Sequence, residues 1–365
     1  MINQARVARL QEVARREGLA GFVVVPGASL VYLSGFRMGM SERPAFLLVP
    51  AEGEAAFFCP AFEAERVRRG TGIDNLLTYT DEAGPQAALT AGLRGGNWGG
   101  RIAFEYRACR LLEYDLVAQA VGGCQPVDAR PLLAELRMAK DEAELAAIQR
   151  AADAVNVMLD AIRERLEERP TELELQSAAI AALRQHYPEA GVAFITVVSG
   201  ERTALPHASA SERRVEPGDL VLADLGASID GYVSDITRTF ATGDLDEEMN
   251  RIYELVLQAN AAGCEAARAG MTAGAVDAVT RQVIVDGGYG EYFTHRTGHG
   301  IGLEVHEEPY IVSGNEQILQ PGHTFTIEPG IYLPGKGGVR IEDNVVITAA
   351  GARTLTSYPR DLRQS

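Results

Sequence analysis

Apolar residues recur at helical spacing at the start of the chain, where Val7, Leu10, Val13 and Ala14 share one face and Gly18 follows as a stop. The pattern then becomes strand-like in GFVVV (21–25) and AFLLVP (45–50), separated by the polar, Gly- and Met-containing loop GFRMGMSERP, and again in AAFFC and RIAFE. GLRGGNWGG (92–100) carries the one Trp and reads as a connecting turn. No strand leads into it and no helix start follows, so it does not fit a phosphate loop. From Asp141 the period changes. Leu145, Ile148, Ala152, Val155, Leu159, Ile162 and Leu166 step alternately by three and four, which predicts a long helix with one buried stripe. Asp141 and Glu144 form a capping signal at its start, and Pro170 predicts its end. Thr171 and Glu174 repeat the cap for a second helix reaching about His186, and two more helices are predicted at about 246–268 and 273–286. Strands lie between and after them. The second half therefore reads as helices over an antiparallel sheet, an α+β pattern, with a domain boundary near residue 135.

Composition narrows the class. At roughly 150 residues per domain, 365 residues predict two domains. With 34 Lys and Arg against 50 Asp and Glu, 34 − 50 gives a net charge of −16, which argues against nucleic acid and anionic lipid as partners. No apolar run approaches the ~20 residues that span a bilayer. The N-terminal MINQARVARLQEVARREGL is charged and amphipathic, unlike a secretory signal. Cys59, Cys109, Cys124 and Cys264 are scattered without a CxxC pair, which predicts free thiols and a cytoplasmic protein.

The chemistry is concentrated in a few polar residues set among apolar ones. In DLVLADLGASIDGYVSDITRTF (219–240), a two-residue turn at Asp230-Gly231 puts Asp224 opposite Thr237, with Asp235 diagonal to Asp224 on the same face. A slip of one residue makes Asp224 face Asp235 directly. In HTFTIEPGIYLPGKGGVRIEDNVVIT (323–348), folding two strands about Gly335 sets Glu328 opposite Glu342, with Arg340 on the face of Glu342. Like charges this close among apolar neighbours repel unless a cation lies between them. HRTGHGIGLEVHEEP (295–309) holds His295, His299 and His306, half of the six histidines, and its glycines argue against a helix. His207 sits in a polar loop before the first hairpin. His186 reads as a surface residue, and His323, opening a strand, carries no assignment. Four carboxylates with one or two imidazoles form a hard, oxygen-rich set that favours Mn²⁺ or Co²⁺, with Zn²⁺ or Fe²⁺ possible. Neutralising four carboxylates calls for two ions, and two ions about 3.5–4 Å apart can share a bridging hydroxide.

Asp224 and Asp235 eleven apart, TGHGIG with His299, TIEPGIY with Glu328 and RIED with Glu342 resemble the pita-bread metallopeptidases. That family includes Xaa-Pro dipeptidase (prolidase), Xaa-Pro aminopeptidase, methionine aminopeptidase and creatinase. YLSGF and SERPAFLLV are similar to the creatinase-type N-terminal domain of its proline-specific members. The resemblance implies an α/β creatinase-like domain over 1–135 and a pita-bread catalytic domain over 136–365. It implies that Asp224 binds one divalent ion, His299 and Glu328 the other, and that Asp235 and Glu342 bridge them, with Mn²⁺ first and Co²⁺ or Zn²⁺ behind it. Glu328 is then also the proton shuttle. His207 and His306 hold the substrate and stabilise the tetrahedral intermediate, His295 lines the pocket, and Arg340 buttresses Glu342 or approaches the substrate. The implied reaction is hydrolysis of the bond preceding proline in a di- or oligopeptide, by a homodimer. The lack of a third domain favours a dipeptidase, which needs an arginine for the substrate carboxylate: Arg37, Arg43 or Arg340. The alternatives are an Xaa-Pro aminopeptidase, a methionine-aminopeptidase-like enzyme, against which the first ~135 residues count, and a non-catalytic binding protein, against which the intact ligand set counts.

Overall fold

The computed structural model describes residues 1–205 and 208–361. The chain divides into two compact units, Met1–Arg137 and Met138–Ser365. In the first, α1 (Gln4–Arg16), β1 (Gly21–Val24), α2 (Ala28–Ser34), β2 (Phe46–Pro50) and β3 (Ala56–Pro60) come in order. They are followed by α3 (Ala64–Thr71), β4 (Leu76–Tyr79), α4 (Pro85–Leu93), β5 (Gly100–Phe104), α5 (Leu111–Ala120), β6 (Cys124–Asp128) and α6 (Arg130–Arg137). The strands form one sheet in the order β4-β3-β2-β1-β5-β6, antiparallel in the β1–β2–β3 meander and parallel at both flanks. Its core holds Phe46, Phe58, Phe104 and Trp98, so the Gly-rich segment between α4 and β5 carries a buried anchor. Helix α2 has no sequence-level counterpart. At seven residues it is too short to develop a periodicity that stands apart from the apolar strands beside it.

The second unit opens with α7 (Glu142–Arg163) and α8 (Glu172–His186). Both predicted capping boxes form. The Asp141 carboxylate accepts the Glu144 N–H at 2.9 Å while Glu144 accepts that of Asp141 at 2.8 Å, and Thr171 and Glu174 repeat the exchange. Helix α7 stops at Arg163, earlier than Pro170 implies, and a 3₁₀ turn over Leu166–Glu168 takes up the remainder. Its stripe of Ala152, Val155, Leu159 and Ile162 packs on Val221, Ala223 and Leu225. Those residues belong to a sheet of β7 (Gly191–Ser199), β8 (Leu220–Ile229), β9 (Tyr232–Val233) and β10 (Ile236–Ala241). After α9 (Glu247–Ala266) and α10 (Ala273–Asp286) come β11 (Gly298–Gly300), β12 (Glu307–Ile311), β13 (Thr324–Ile327) and β14 (Gly330–Leu333). The last strands are β15 (Gly337–Arg340), β16 (Asp343–Thr348) and β17 (Gly351–Thr354). They form the antiparallel sheet β12-β11-β13-β16-β17 and the pair β14-β15. Among the described residues no helix is long and apolar enough to cross a membrane.

Both carboxylate hairpins hold the register the turns dictate. Asp230 (φ 52°) and Gly231 (φ 91°) make the two-residue turn, and Asp224 lies opposite Thr237; the slipped alternative is absent. Leu333 pairs with Gly337 and, beyond an interruption, Ile327 pairs with Asp343, so one register about Gly335 runs through the whole second hairpin. The expected two strands are in fact four. Pro329 has no N–H for the ladder, and the chain breaks on either side of it. At the break Glu328 donates its N–H to the Thr297 carbonyl at 2.8 Å, and Glu342 donates its own to Thr237 at 3.1 Å. The interruption thus stitches three segments together at the carboxylates.

Strand β11 is squeezed between β12 and β13. A Cβ on Gly298 would lie 1.9 Å from the Thr326 carbonyl oxygen, and one on Gly300 would lie 2.2 Å from that of Glu308. Only glycine flanking His299 permits this approach. Gly298→Ala is expected to cost about 1–3 kcal/mol in urea unfolding, and an unchanged midpoint would contradict this account of the strand.

Candidate active site

Five side chains converge from these elements. Asp224 projects from β8, Asp235 sits in the gap between β9 and β10, and His299 is the middle residue of β11. Glu328 follows β13 and Glu342 precedes β16. Together they line one side of a cavity of about 850 Å³. Single ligand atoms of Asp235, His299 and Glu342, all buried, lie within 4.8 Å of one another. His299 Nε2 is 3.3 Å from Glu328 Oε1 and 3.6 Å from Asp235 Oδ2.

This cluster is electrostatically incomplete. Among the described residues, Asp235 Oδ1 and Glu342 Oε1 are buried without a hydrogen-bond partner. The two carboxyls abut, so as carboxylates neither has a hydrogen to give the other. Burial, followed by the charges of Glu342 and Asp224, raises Asp235 well above the usual carboxylate range. Burial and the charge of Glu342 do the same to Glu328, while burial and Asp224 push Glu342 up to about 7. Burial and the neighbouring His306 hold His299 down at about 3. The Gly300 carbonyl, 3.1 Å from Nδ1, can only accept, so Nδ1 carries the hydrogen and Nε2 turns its lone pair toward two carboxylates. Lone pairs facing carboxylate oxygens in a buried site require protons or cations between them. The donor set of oxygens and one imidazole fits divalent metal.

The comparisons with known proteins agree with this geometry. Residues 146–349 match the model for "Metallopeptidase family M24", and residues 6–139 match that for "Creatinase/Prolidase N-terminal domain". The chain belongs to metallopeptidase family M24. It is 38% identical over 362 residues to "Probable dipeptidase PepE" of Mycobacterium tuberculosis, covering 98% of this chain and 95% of that one. It is 34% identical over 362 residues to the "Xaa-Pro dipeptidase" of Lactobacillus delbrueckii subsp. lactis, covering 97% of each. The crystal structure of a prolidase from Thermococcus sibiricus superposes with a TM-score of 0.92 at 34% identity over 99% of both chains. The α+β, two-domain reading and the metallopeptidase reading are both borne out.

The M24 site departs from the sequence expectation in its surroundings. Arg340 does not touch Glu342. It pairs with Asp224, donates from Nε to Thr237 Oγ1 at 3.1 Å and from Nη1 to the Tyr332 hydroxyl at 3.0 Å. Thr237 Oγ1 in turn donates to Glu342 Oε2 at 2.7 Å, so the arginine reaches that carboxylate one step removed. With three partners and 5% exposure, Arg340 is not placed to take up a substrate carboxylate. Arg238 completes the support from behind, donating to the Glu342 carbonyl at 2.6 Å and pairing with Asp343 at 2.9 Å.

His295 lines the cavity, and both its nitrogens are engaged, Nδ1 with the Arg296 carbonyl at 2.7 Å and Nε2 with the Tyr332 hydroxyl at 2.8 Å. Burial lowers it to about 4, so it is a neutral wall. His306 lines the same cavity and stands edge-on to His299, ring centroids 4.2 Å apart. His207 lies outside the described residues. His186 is exposed at the end of α8, and His323 is buried away from the cavity, where its Nδ1 accepts the Gln320 N–H at 3.3 Å. Of the other arginine candidates, Arg43 is bound to Asp81 and Glu42, and Arg37 is exposed in the first unit.

Sequence reasoning missed five cavity residues: Phe194, Thr294, Arg296, Val305 and Tyr332. Tyr332 was recoverable, because strand alternation from Glu328 through Gly330 puts it on the same face. Arg296 follows His295 in a stretch without periodicity and carried no such signal.

Proposed function

We propose that this M24 chain is an Xaa-Pro dipeptidase that hydrolyses the bond preceding proline with two divalent ions, Mn²⁺ first and Co²⁺ or Zn²⁺ as alternatives. The observation that carries the metal reading is the pair of buried oxygens that have no partner among the described residues, Asp235 Oδ1 and Glu342 Oε1, beside the lone pair of His299. In this reading Asp224, Asp235, His299, Glu328 and Glu342 would hold the ions. Bound there, such ions would polarise the scissile carbonyl and furnish a hydroxide nucleophile near neutral pH.

The chain's own residues do the rest. Glu328, whose burial favours its protonated form, receives a proton beside His299 and hands it to the leaving imino nitrogen. His306, with His207 as its proposed partner, donates to the oxyanion. Phe194 and Val305 give the cavity an apolar wall suited to a proline ring, and neutral His295 closes it. Arg296 lines the cavity, its guanidinium 4.5 Å above the Tyr310 ring, and among the described residues it pairs with no carboxylate. It is the cation this reading assigns to the carboxylate of a dipeptide. The proposed assembly is a cytoplasmic homodimer of 1–135 creatinase-type and 136–365 catalytic domains.

A longer peptide also has room in a cavity of about 850 Å³, which makes an Xaa-Pro aminopeptidase the second reading. Comparing Xaa-Pro, Xaa-Pro-Yaa and Met-Ala-Yaa peptides separates them. The dipeptide should be the preferred substrate, and Arg296→Met should raise its KM about 10–100-fold, with a smaller effect on Xaa-Pro-Yaa. Preferred cleavage of the tripeptide, unaffected by Arg296→Met, would favour the aminopeptidase.

A further inference from the structure

A second buried charge pair lies close to the cavity, outside the ligand set. Lys140 Nζ is 2.6 Å from Glu307 Oε1, and the two side chains are 1% and 8% exposed. Both ends are fixed through the backbone. Lys140 donates its N–H to the Gly322 carbonyl at 2.9 Å, Ala139 bridges His323, and Asp141 caps α7 immediately afterwards. Glu307 opens β12 opposite Gly300, one residue after His299. Between Gly300 and Glu307 the chain bends back on itself, with Gly302 donating to the Glu304 carbonyl at 3.2 Å, and His306 stands at the end of the bend. The bend also makes room for the pair. A Cβ on Gly302 would lie 2.6 Å from Glu307 Oε1 and 2.9 Å from Lys140 Cε.

Desolvating two charges offsets most of their attraction, so a buried pair of this kind adds little net stability while holding its partners in one geometry. We propose that Lys140 is a positioning residue for His306: its ammonium anchors Glu307 and thereby sets His306 edge-on against His299. The alternative task for the pair, simple stabilisation of the β11–β12 connection, requires no particular placement of the imidazole. The adjacency in sequence of Glu307 to His306, and the bare Gly302 beside the pair, favour positioning. The inference rests on the peptidase reading, in which His306 contacts the substrate in the transition state.

A double-mutant cycle on the Mn²⁺-loaded protein tests it. Lys140→Met is expected to lower kcat about 10–100-fold, the order expected of an active-site misplacement near 1 Å, with KM within about twofold. Lys140→Arg should keep most of the activity. In a His306→Ala background Lys140→Met should have no further effect on kcat. In the metal-free protein, the His306 ring-proton resonance, assigned by its loss in H306A, should move in K140M. Should K140M not fold, Gly302→Ala takes its place in the cycle, since its methyl group displaces the carboxylate while both charges remain. Losses that multiply in the double variant, or an unmoved His306 resonance, overturn the proposal while leaving the peptidase reading intact. A wild-type kcat in H306A alone overturns the reading of His306 and this inference with it.

Discussion

Glu328→Ala is expected to reduce kcat by about 10³-fold or more while leaving the chain folded, because in the proposed reading it removes a metal ligand and the proton carrier together. The carboxyl stands 3.3 Å from His299 Nε2, and burial beside Glu342 disfavours its charge. Deleting it relieves that repulsion, so the metal-free variant should melt no lower than the parent. The backbone contact that ties this position to Thr297 uses the Glu328 N–H and survives the substitution. Glu328→Gln separates proton transfer from volume, since the amide fills the same space and carries no exchangeable acid. Turnover near the parent's in E328Q would show that the proton passes through another group. Melting temperature and metal content, recorded on the same samples, distinguish lost chemistry from lost fold.

Metal uptake should release protons, and its affinity should fall steeply below neutral pH. Glu342 is raised from 4.5 to about 7, and Asp235 and Glu328 are raised as well, all chiefly by burial. A carboxyl whose folded value lies above its unfolded one favours the fold fully below about 4.5 and loses that contribution as pH rises through about 7. In the metal-free protein the carboxylates therefore oppose the fold increasingly up to neutrality, by an amount on the order of a few kcal/mol. A bound cation reverses this by taking the place of the protons. His295, His299 and His323, lowered to about 4, 3 and 4, act in the other direction below 6.5, where the unfolded chain binds protons they refuse. They stay neutral with or without metal, so they cancel from the metal-induced increment. Calorimetric titration in buffers of different ionisation enthalpy should show net proton release at pH 6–7. Apparent affinity should fall about tenfold or more per unit below neutrality, and an affinity flat from pH 8 to 6 would contradict the raised carboxyls.

Much of this site was legible because its residues lie on hairpins whose turns fix the register. Asp230-Gly231 dictates that Asp224 faces Thr237, and the equal distance of Glu328 and Glu342 from Gly335 dictates their pairing. The capping boxes at Asp141 and Thr171 were equally local and formed as read. Interactions decided by distant segments were not legible. That Arg340 turns to Asp224 rather than Glu342 depends on how β15 meets β8, which no spacing within either hairpin encodes. Arg296, Phe194 and Val305 reach the cavity from a loop, a strand and a bend that share no periodicity. The break at Pro329 was visible as a proline, but its consequence, the Glu328 and Glu342 amides turning to Thr297 and Thr237, emerges only once the sheets meet. Membership of an M24 family of enzymes also removes the non-catalytic scaffold from the alternatives, and the matched N-terminal domain counts against a methionine-aminopeptidase-like enzyme.

The central claim is that two divalent ions held by these five residues hydrolyse the bond before proline. The most direct measurement strips the protein with chelator and titrates Mn²⁺ back while following both bound metal and Xaa-Pro cleavage. The account predicts no turnover in the stripped protein and activity that climbs to its plateau as the second ion per chain binds. Turnover of Xaa-Pro without metal, or none at any loading with Mn²⁺, Co²⁺ or Zn²⁺, would contradict it.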